Sequence, residues 1–196
     1  MAQTSTTLIS SKSHLTSITG TDISFTATSG IFTIKATSTT LTGSGKLAVG
    51  DLITVTGTTS NNSTFTVSTV VSTLEITVSE AVTSENSDGS TSVTLDHVGF
   101  VSDKAKGDGY YSQPDGVHTV AYQVVSDFNA DATIKMQGTL ATTPTEDDWF
   151  DIPGTTFTSD TSTVTSSANF TGNYVWVRSK TQLMTAGTVN SILLNS

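Results

Sequence analysis

The sequence predicts an all-β protein: a small β-barrel or sandwich module, then a second antiparallel β-sandwich, with an extended N-terminal arm. Two observations predict this class. Apolar and polar residues alternate with a period of two along most of the chain, and spacing typical of a helix is almost absent. In addition, 41 Thr and 28 Ser make up about 35% of the 196 residues, and Thr favours strands, as Val and Ile do.

The first half of the chain contains six short alternating segments. In the first of them, Ile23, Phe25 and Ala27 share one face. The six predicted strands are 22–28, 31–36, 52–57, 64–71, 73–79 and 90–97. Turn residues rich in Gly, Asn and Asp separate them. A strand every 8 to 12 residues or so is typical of a small barrel or sandwich.

The alternation lapses between residues 99 and 116, a stretch with four of the 15 Gly, and we predict a linker there. The predicted domains are therefore an N-terminal arm (1–20), a small β-barrel-like module (21–98), the linker (99–116) and a C-terminal β-sandwich (117–196). In the last domain, strands are predicted at 119–125, 132–140, 149–152, 161–165, 174–179 and 188–194. We expect the weakly alternating arm to order against a partner subunit.

Composition argues against several functions. The net charge is −9, with 17 Asp+Glu against 8 Lys+Arg, so a surface that binds nucleic acid is not expected. The chain has no cysteine, which removes thiolate catalysis and zinc sites built on cysteine. No apolar run approaches the roughly 20 residues of a membrane span, and the polar N-terminal segment does not resemble a signal peptide.

The densest acidic cluster contains Glu146, Asp147, Asp148 and Asp151. Carboxylate oxygens suit Ca²⁺, but the D-x-[DN]-x-[DN]-G loop is absent. A solvated acidic rim beside an aromatic anchor is therefore the favoured interpretation, with calcium binding left open. In the linker, Asp103, Asp108 and Asp115 are mixed with lysines, which favours local ion pairs over a metal. We predict no metal and no cofactor.

An enzyme is the least favoured functional class. His118 could join Asp115 and a serine in a hydrolytic triad, but no G-x-S-x-G elbow accompanies it. The more ordinary interpretation places His118 at a strand start, bonded to a loop carbonyl. We therefore predict no catalytic residues.

Aromatic side chains provide the candidate interaction surface. We predict that Trp149, Phe150, Tyr110 and Tyr111 form it. Aromatic rings can stack on sugars, and Trp149, flanked by acids at a strand start, is the best candidate for an exposed platform. Packing in the core or at an interface is favoured for the aromatic residues as a whole, and the face that holds Tyr174 and Trp176 could be the core face.

Two stretches contain motifs that resemble those of a known family. Residues 47–85 read L-A-V-G-D-L-I-T-V-T-G, an Asn-rich hairpin and T-F-T-V, which resembles a small β-barrel module in structural proteins of tailed bacteriophages. Residues 118–196 include A-T-I-K-M-Q-G-T-L and N-F-T-G-N-Y-V-W-V-R, which resemble a β-sandwich repeated in virion proteins of marine, T4-like cyanophages.

The resemblance implies a non-enzymatic virion component. It would assemble in multiple copies on the capsid surface, as a decoration or cement protein, or on the neck or tail. Its partners would be other copies of itself and other virion proteins, with no nucleic acid and no membrane. The alternative is a host-recognition adhesin or fibre module that binds a glycan.

Overall fold

The computed structural model describes residues 5–111, 116–125, 128–129, 131–158 and 164–195, and strands dominate it. The strands are β1 (Ser5–Ile9), β2 (Lys12–Ser13), β3 (Ile18–Gly20), β4 (Ile23–Thr28), β5 (Ile31–Ala36), β6 (Asp51–Thr56), β7 (Thr64–Ser72), β8 (Glu75–Val78), β9 (Val93–Val101), β10 (Ala105–Lys106), β11 (Val117–Val124), β12 (Thr133–Thr139), β13 (Phe150–Asp151), β14 (Phe157–Thr158), β15 (Val164–Thr171), β16 (Trp176–Gln182) and β17 (Thr188–Asn195). Two 3₁₀ turns, Asp108–Tyr111 and Glu146–Asp148, complete the described elements. The predicted all-β class is confirmed.

The chain divides into two compact units, one of which interrupts the other in sequence. The insert unit is Leu15–Phe100, and the host unit combines Met1–His14 with Val101–Ser196. This division differs from the predicted arm and linker. Within the predicted arm, β1 and β2 pair with β17 of the same chain. Within the predicted linker, β10 pairs with β16. Local alternation misses such pairs because it cannot detect partners that are distant in sequence.

The insert unit contains one twisted antiparallel sheet in the order β9, β6, β7, β8, β5, β4, with β3 paired to β9. In the described residues this sheet stays open, with β3 and β4 at its two ends, so the barrel alternative is wrong for this unit. Bulges in β7 shift its register against β8, which bends the sheet. The bent sheet folds over a core of aliphatic side chains with Phe25 and Phe65.

Asp22, the residue before β4, fixes the turn that follows β5. Its carboxylate accepts hydrogen bonds from the backbone amides and the hydroxyls of Thr37, Ser38 and Thr39. The hydroxyl and amide of Thr39, followed by the amide of Ser38, hold the pKa of Asp22 well below its ordinary value. Only the ionised carboxylate accepts all of these bonds, so ionisation and the folded turn support each other.

This linkage predicts that the insert unit loses stability in acid. Because the pKa of Asp22 is lower in the folded than in the unfolded state, its contribution is complete above about pH 4 and is lost as the pH falls below that value. We expect Asp22→Asn to destabilise the chain at pH 7, and the difference from wild type to shrink toward pH 2. Urea unfolding followed by far-ultraviolet circular dichroism across pH 2–7 measures this difference.

The matched control is Asp103→Asn, because the carboxylate of Asp103 accepts no hydrogen bond from any residue that the structure describes. It should behave as wild type at every pH. An Asp22→Asn variant as stable as wild type at pH 7 would contradict the linkage.

The host unit is a β-sandwich. One sheet has the order β1, β17, β11, β15, with β2 also on β17. The other contains β10, β16 and β12, with β13 and β14 on the far edge of β12. A hydrogen bond joins the two layers, because the Tyr122 hydroxyl of β11 donates to the Thr155 carbonyl at 2.7 Å.

The core of the host unit explains which residues of each strand point inward. Alternate residues of β11, namely Val120, Tyr122 and Val124, are at most 1% exposed. On the facing sheet, Ile134 and Met136 of β12 are fully buried. In β16, Val177 and Thr181 face this core, so the face that holds Trp176 is the outer one. The suggestion that Trp176 lies on the core face is therefore wrong.

Candidate interaction face

The solvent-side surface of β12 and β16 in the host unit carries a dense group of polar and charged side chains. Antiparallel register places Lys135 opposite Lys180, Gln137 opposite Arg178 and Thr139 opposite Trp176. We call this surface the outer face. Five of the eight Lys and Arg residues lie on it or at its border: Lys104, Lys106, Lys135, Arg178 and Lys180. Cationic charge is therefore concentrated on one face of an acidic protein.

Arg178 is the most heavily bonded side chain of the outer face. Its guanidinium donates two parallel bonds to the Glu146 carboxylate at 2.8 and 2.7 Å, and its Nε donates to the Gln137 side chain at 3.0 Å. The Trp149 ring covers the guanidinium, with 4.2 Å from Cζ to the ring centroid. The side chain of Arg178 is only 5% exposed. This bidentate, stacked geometry is specific to arginine.

Two further cations lie beside Arg178. Lys135 donates to Asp151 at 2.5 Å, and the same carboxylate accepts a bond from Gln137 at 2.9 Å. Burial opposes ionisation of Asp151, but these bonds outweigh it and keep its pKa below the ordinary value. Burial, followed by the charge of Arg178, lowers the pKa of Lys180.

The predicted acidic rim is thus largely paired. Glu146 and Asp151 neutralise cations of β16 and β12, respectively. Asp148 accepts bonds from the amide and hydroxyl of Thr145, and these bonds lower its pKa. No group of three or more metal-ligating side chains occurs among the described residues. Asp115, which the sequence suggested as a possible metal ligand and as a possible member of the triad, lies outside the described residues.

Beside Arg178, the outer face ends in an aromatic cluster. Tyr110 packs against Trp176 with 4.8 Å between ring centroids and against Tyr111 with 5.2 Å. The Lys104 ammonium lies 4.5 Å from the Trp176 ring centroid. The Lys106 ammonium lies 4.2 Å from the Tyr110 centroid and 5.5 Å from that of Tyr111. We call these five residues the aromatic–lysine patch.

Local backbone bonds hold the patch in place. The amides of Gly107 and Gly109 donate to the carbonyls of Val175 and Tyr174, which docks the first 3₁₀ turn along β16. A Cβ on Gly109 would lie 2.7 Å from the Asn173 carbonyl oxygen, so glycine is required for this close approach. The Trp176 indole donates to the Thr142 carbonyl at 3.0 Å and is fixed on its other side.

Phe150 does not join the other three predicted surface residues. It packs against Tyr174 at 5.9 Å between centroids, and Tyr174 in turn packs against Phe170 at 6.3 Å. The Tyr174 ring covers Gly138, where a Cβ would come within 2.6 Å of it. Of the predicted surface residues, Tyr110, Tyr111 and Trp149 therefore border the outer face, and Phe150 belongs to a separate aromatic group.

His118 is buried rather than exposed in a cleft. It is 1% exposed, its ring stacks on Phe170 at 4.9 Å, and its Nε2 lies 3.3 Å from a carboxylate oxygen of Asp108. That oxygen also accepts the amide of Gly116 at 2.6 Å. Asp108, which the sequence grouped with possible metal ligands, is therefore the acidic neighbour of His118, and the pair holds the two ends of the 108–116 segment together.

Sequence reasoning missed the cations of this surface. The run W-V-R-S-K at 176–180 already places Trp176, Arg178 and Lys180 on one side of a strand, and Lys104 and Lys106 repeat the spacing. The sequence contains that signal, but the face it marks could be recognised as solvent-side only once the core was known.

A search of the described residues for a helix with the length and apolar character of a membrane span finds none.

No protein-family model and no curated protein matches this chain. Its function therefore has to be inferred from the residues themselves.

Proposed function

We propose that this protein is a non-enzymatic structural component of a tailed-phage virion. It assembles in multiple copies, on the capsid surface in the manner of a decoration or cement protein, or on the neck or tail. Its partners are further copies of itself and other virion proteins. The observation that carries the proposal is the edge strand β15, whose outer side pairs with no other strand that the structure describes.

β15 is an edge strand of a kind that monomers usually avoid. Among the described residues it pairs only with β11, through eight consecutive residue pairs without a bulge. Its sequence V-T-S-S-A-N-F-T contains no charge and no proline. Monomeric proteins commonly blunt such an edge with lysine, proline or a bulge, because the free backbone groups pair readily with another strand.

The charge distribution favours pairing between copies at this edge. Because the net charge of the chain is −9, two copies repel each other over most of their surfaces. The eight neutral residues of β15 offer a place where copies approach without this cost. Antiparallel pairing of β15 with the same strand of a second copy would leave no like charges opposite each other.

The phage context is supported by resemblance. The sequence motifs in residues 47–85 and 118–196 resemble those of tailed-phage structural proteins, and the described strands of both stretches lie in antiparallel sheets. An acidic surface also suits a position away from packaged DNA.

Replacing two residues on the exposed side of β15 with lysine tests the assembly role. We expect wild type to sediment as an oligomer and Thr165→Lys/Ser167→Lys to sediment as a 20.4 kDa monomer, because paired edges would bring like charges together. Sedimentation velocity over a concentration series measures this, and immuno-electron microscopy of intact phage particles locates the chain.

Ser44→Lys/Ser87→Lys is the matched control, since it adds the same two charges in exposed loops of the insert unit and should leave the oligomer intact. Wild type that stays monomeric and never labels a particle would overturn the proposal. An oligomer that the β15 variant leaves intact would refute the role of this edge alone.

A further inference from the structure

We propose that the aromatic–lysine patch binds an acidic saccharide, a sugar chain that carries carboxylate or sulfate groups. The inference is independent of the assembly role, because it concerns a different surface of the host unit and does not require oligomers.

The rings of the patch are presented to solvent. Tyr110 is 43% exposed and Tyr111 is 56% exposed, although aromatic side chains of this size are normally more buried. Neither hydroxyl has a hydrogen-bond partner among the described residues. The two rings meet edge to face, with 78° between their planes. Each ring thus presents an exposed apolar side next to a hydroxyl that no described residue bonds, and a pyranose ring offers a matching C–H face and hydroxyl edge.

The two lysines provide the charge selectivity. Arg178 and Lys135 already pair with carboxylates. By contrast, no described carboxylate lies within 4 Å of the Lys104 or Lys106 ammonium. Both lysines are exposed and rest on aromatic faces. Each can turn toward an anionic group on a sugar while its methylene chain stays against the ring below it.

Charge complementarity selects this ligand over the alternatives. A neutral sugar would use the rings and leave both ammonium groups unpaired. A single-stranded nucleic acid could stack on the tyrosines, but a strand of many nucleotides carries a phosphate at each of them, and a chain of net charge −9 repels it. A short saccharide with only a few anionic groups meets the ammonium groups of Lys104 and Lys106 and adds much less repulsion.

The test uses the full-length protein and four probes: trigalacturonic acid, a chondroitin sulfate tetrasaccharide, maltotriose and a dT10 oligonucleotide. Isothermal titration calorimetry measures binding. The fluorescence of Trp149 and Trp176, the only tryptophans, reports contact with the outer face. We expect at least one acidic saccharide to bind, maltotriose and dT10 to bind at least tenfold more weakly, and the affinity to fall as salt is added.

The variants separate the lysines from the rings. Lys104→Ala/Lys106→Ala should weaken binding of the acidic saccharide about tenfold, since each exposed ion pair contributes a few-fold. Tyr110→Ala/Tyr111→Ala should abolish detectable binding. The control Lys35→Ala/Lys46→Ala removes the same charge from the insert unit and should stay within twofold of wild type. Unchanged urea midpoints establish that each variant is folded.

Several results would overturn the inference. It fails if neither acidic saccharide binds, if maltotriose binds as well as they do, or if dT10 binds best. It also fails if the control pair weakens binding as much as Lys104→Ala/Lys106→Ala does, because the effect would then reflect net charge alone. Binding that appears only as the protein self-associates would assign the patch to a second copy instead. None of these results depends on whether β15 pairs between copies.

Discussion

Replacing Arg178 with alanine is expected to destabilise the host unit by about 3–5 kcal/mol, the range for breaking one side of a buried ion pair. The guanidinium is 5% exposed and makes two bonds to Glu146 and one to Gln137. Its removal leaves a partly buried carboxylate and a buried amide oxygen without their donor. It also removes the surface on which the Trp149 ring is stacked.

Urea unfolding followed by tryptophan fluorescence measures this effect, because both tryptophans lie in the host unit. A double-mutant cycle with Glu146→Ala separates the pair from the packing. We expect the double variant to be more stable than the sum of the single losses predicts, by about 1–3 kcal/mol. Lys135→Ala breaks the more exposed pair with Asp151 and should cost about 1 kcal/mol or less. An Arg178→Ala variant within 1 kcal/mol of wild type would contradict the structural role of Arg178.

Tyr122→Ala is expected to cost the host unit a similar amount, about 3–5 kcal/mol. Tyr122 is 1% exposed, packs against Phe157 with 5.8 Å between ring centroids, and ties one sheet to the other through the Thr155 carbonyl. Burial raises the pKa of its hydroxyl, and the bond to Thr155 offsets only part of this increase. The hydroxyl therefore stays protonated and remains a donor at and below neutral pH.

Tyr122→Phe separates the ring from the hydroxyl. It keeps the ring and leaves the buried carbonyl of Thr155 without its donor, so we expect a loss of about 1–3 kcal/mol. Tyr111→Ala removes an equally large side chain from the surface and should change the free energy of unfolding by no more than about 0.5 kcal/mol. Equal losses for Tyr122→Ala and Tyr111→Ala would mean that burial of Tyr122 does not stabilise the sandwich.

Most strands of the core were predictable because they have a local signal. For example, 31–36 was predicted and Ile31–Ala36 is observed, since Ile34 and Ala36 alternate with residues that point away from the core. Within 161–165, residues 161–163 lie outside the described part of the chain, and β15 begins at Val164. The short strands β1 and β10 escaped prediction because each is defined by a partner some 70 or more residues away.

The candidate face was predictable only in part. Tyr110, Tyr111 and Trp149 stand out in the sequence because aromatic residues make up only 7% of the chain and these three lie next to Gly, Ser or Asp. The spacing of Trp176 and Arg178 is also visible, but the sequence alone does not show that their side of the strand faces solvent, nor that Lys104 lies over a ring. Phe150 shows a related limit: its proximity to Trp149 in sequence suggested one surface, but Trp149 has an extended backbone just before β13, and adjacent side chains of extended backbone point to opposite sides.

The interruption of the host unit by the insert unit sets an order for folding during synthesis. As the chain emerges from the ribosome, residues 15–100 form a contiguous stretch that holds every strand of its own sheet except the last residue of β9. The strand β1 emerges earlier but its partner β17 is made almost two hundred residues later. β1 therefore stays unpaired in the nascent chain until β17 has been synthesised. Its polar Ser and Thr residues keep the unpaired strand hydrated during that time.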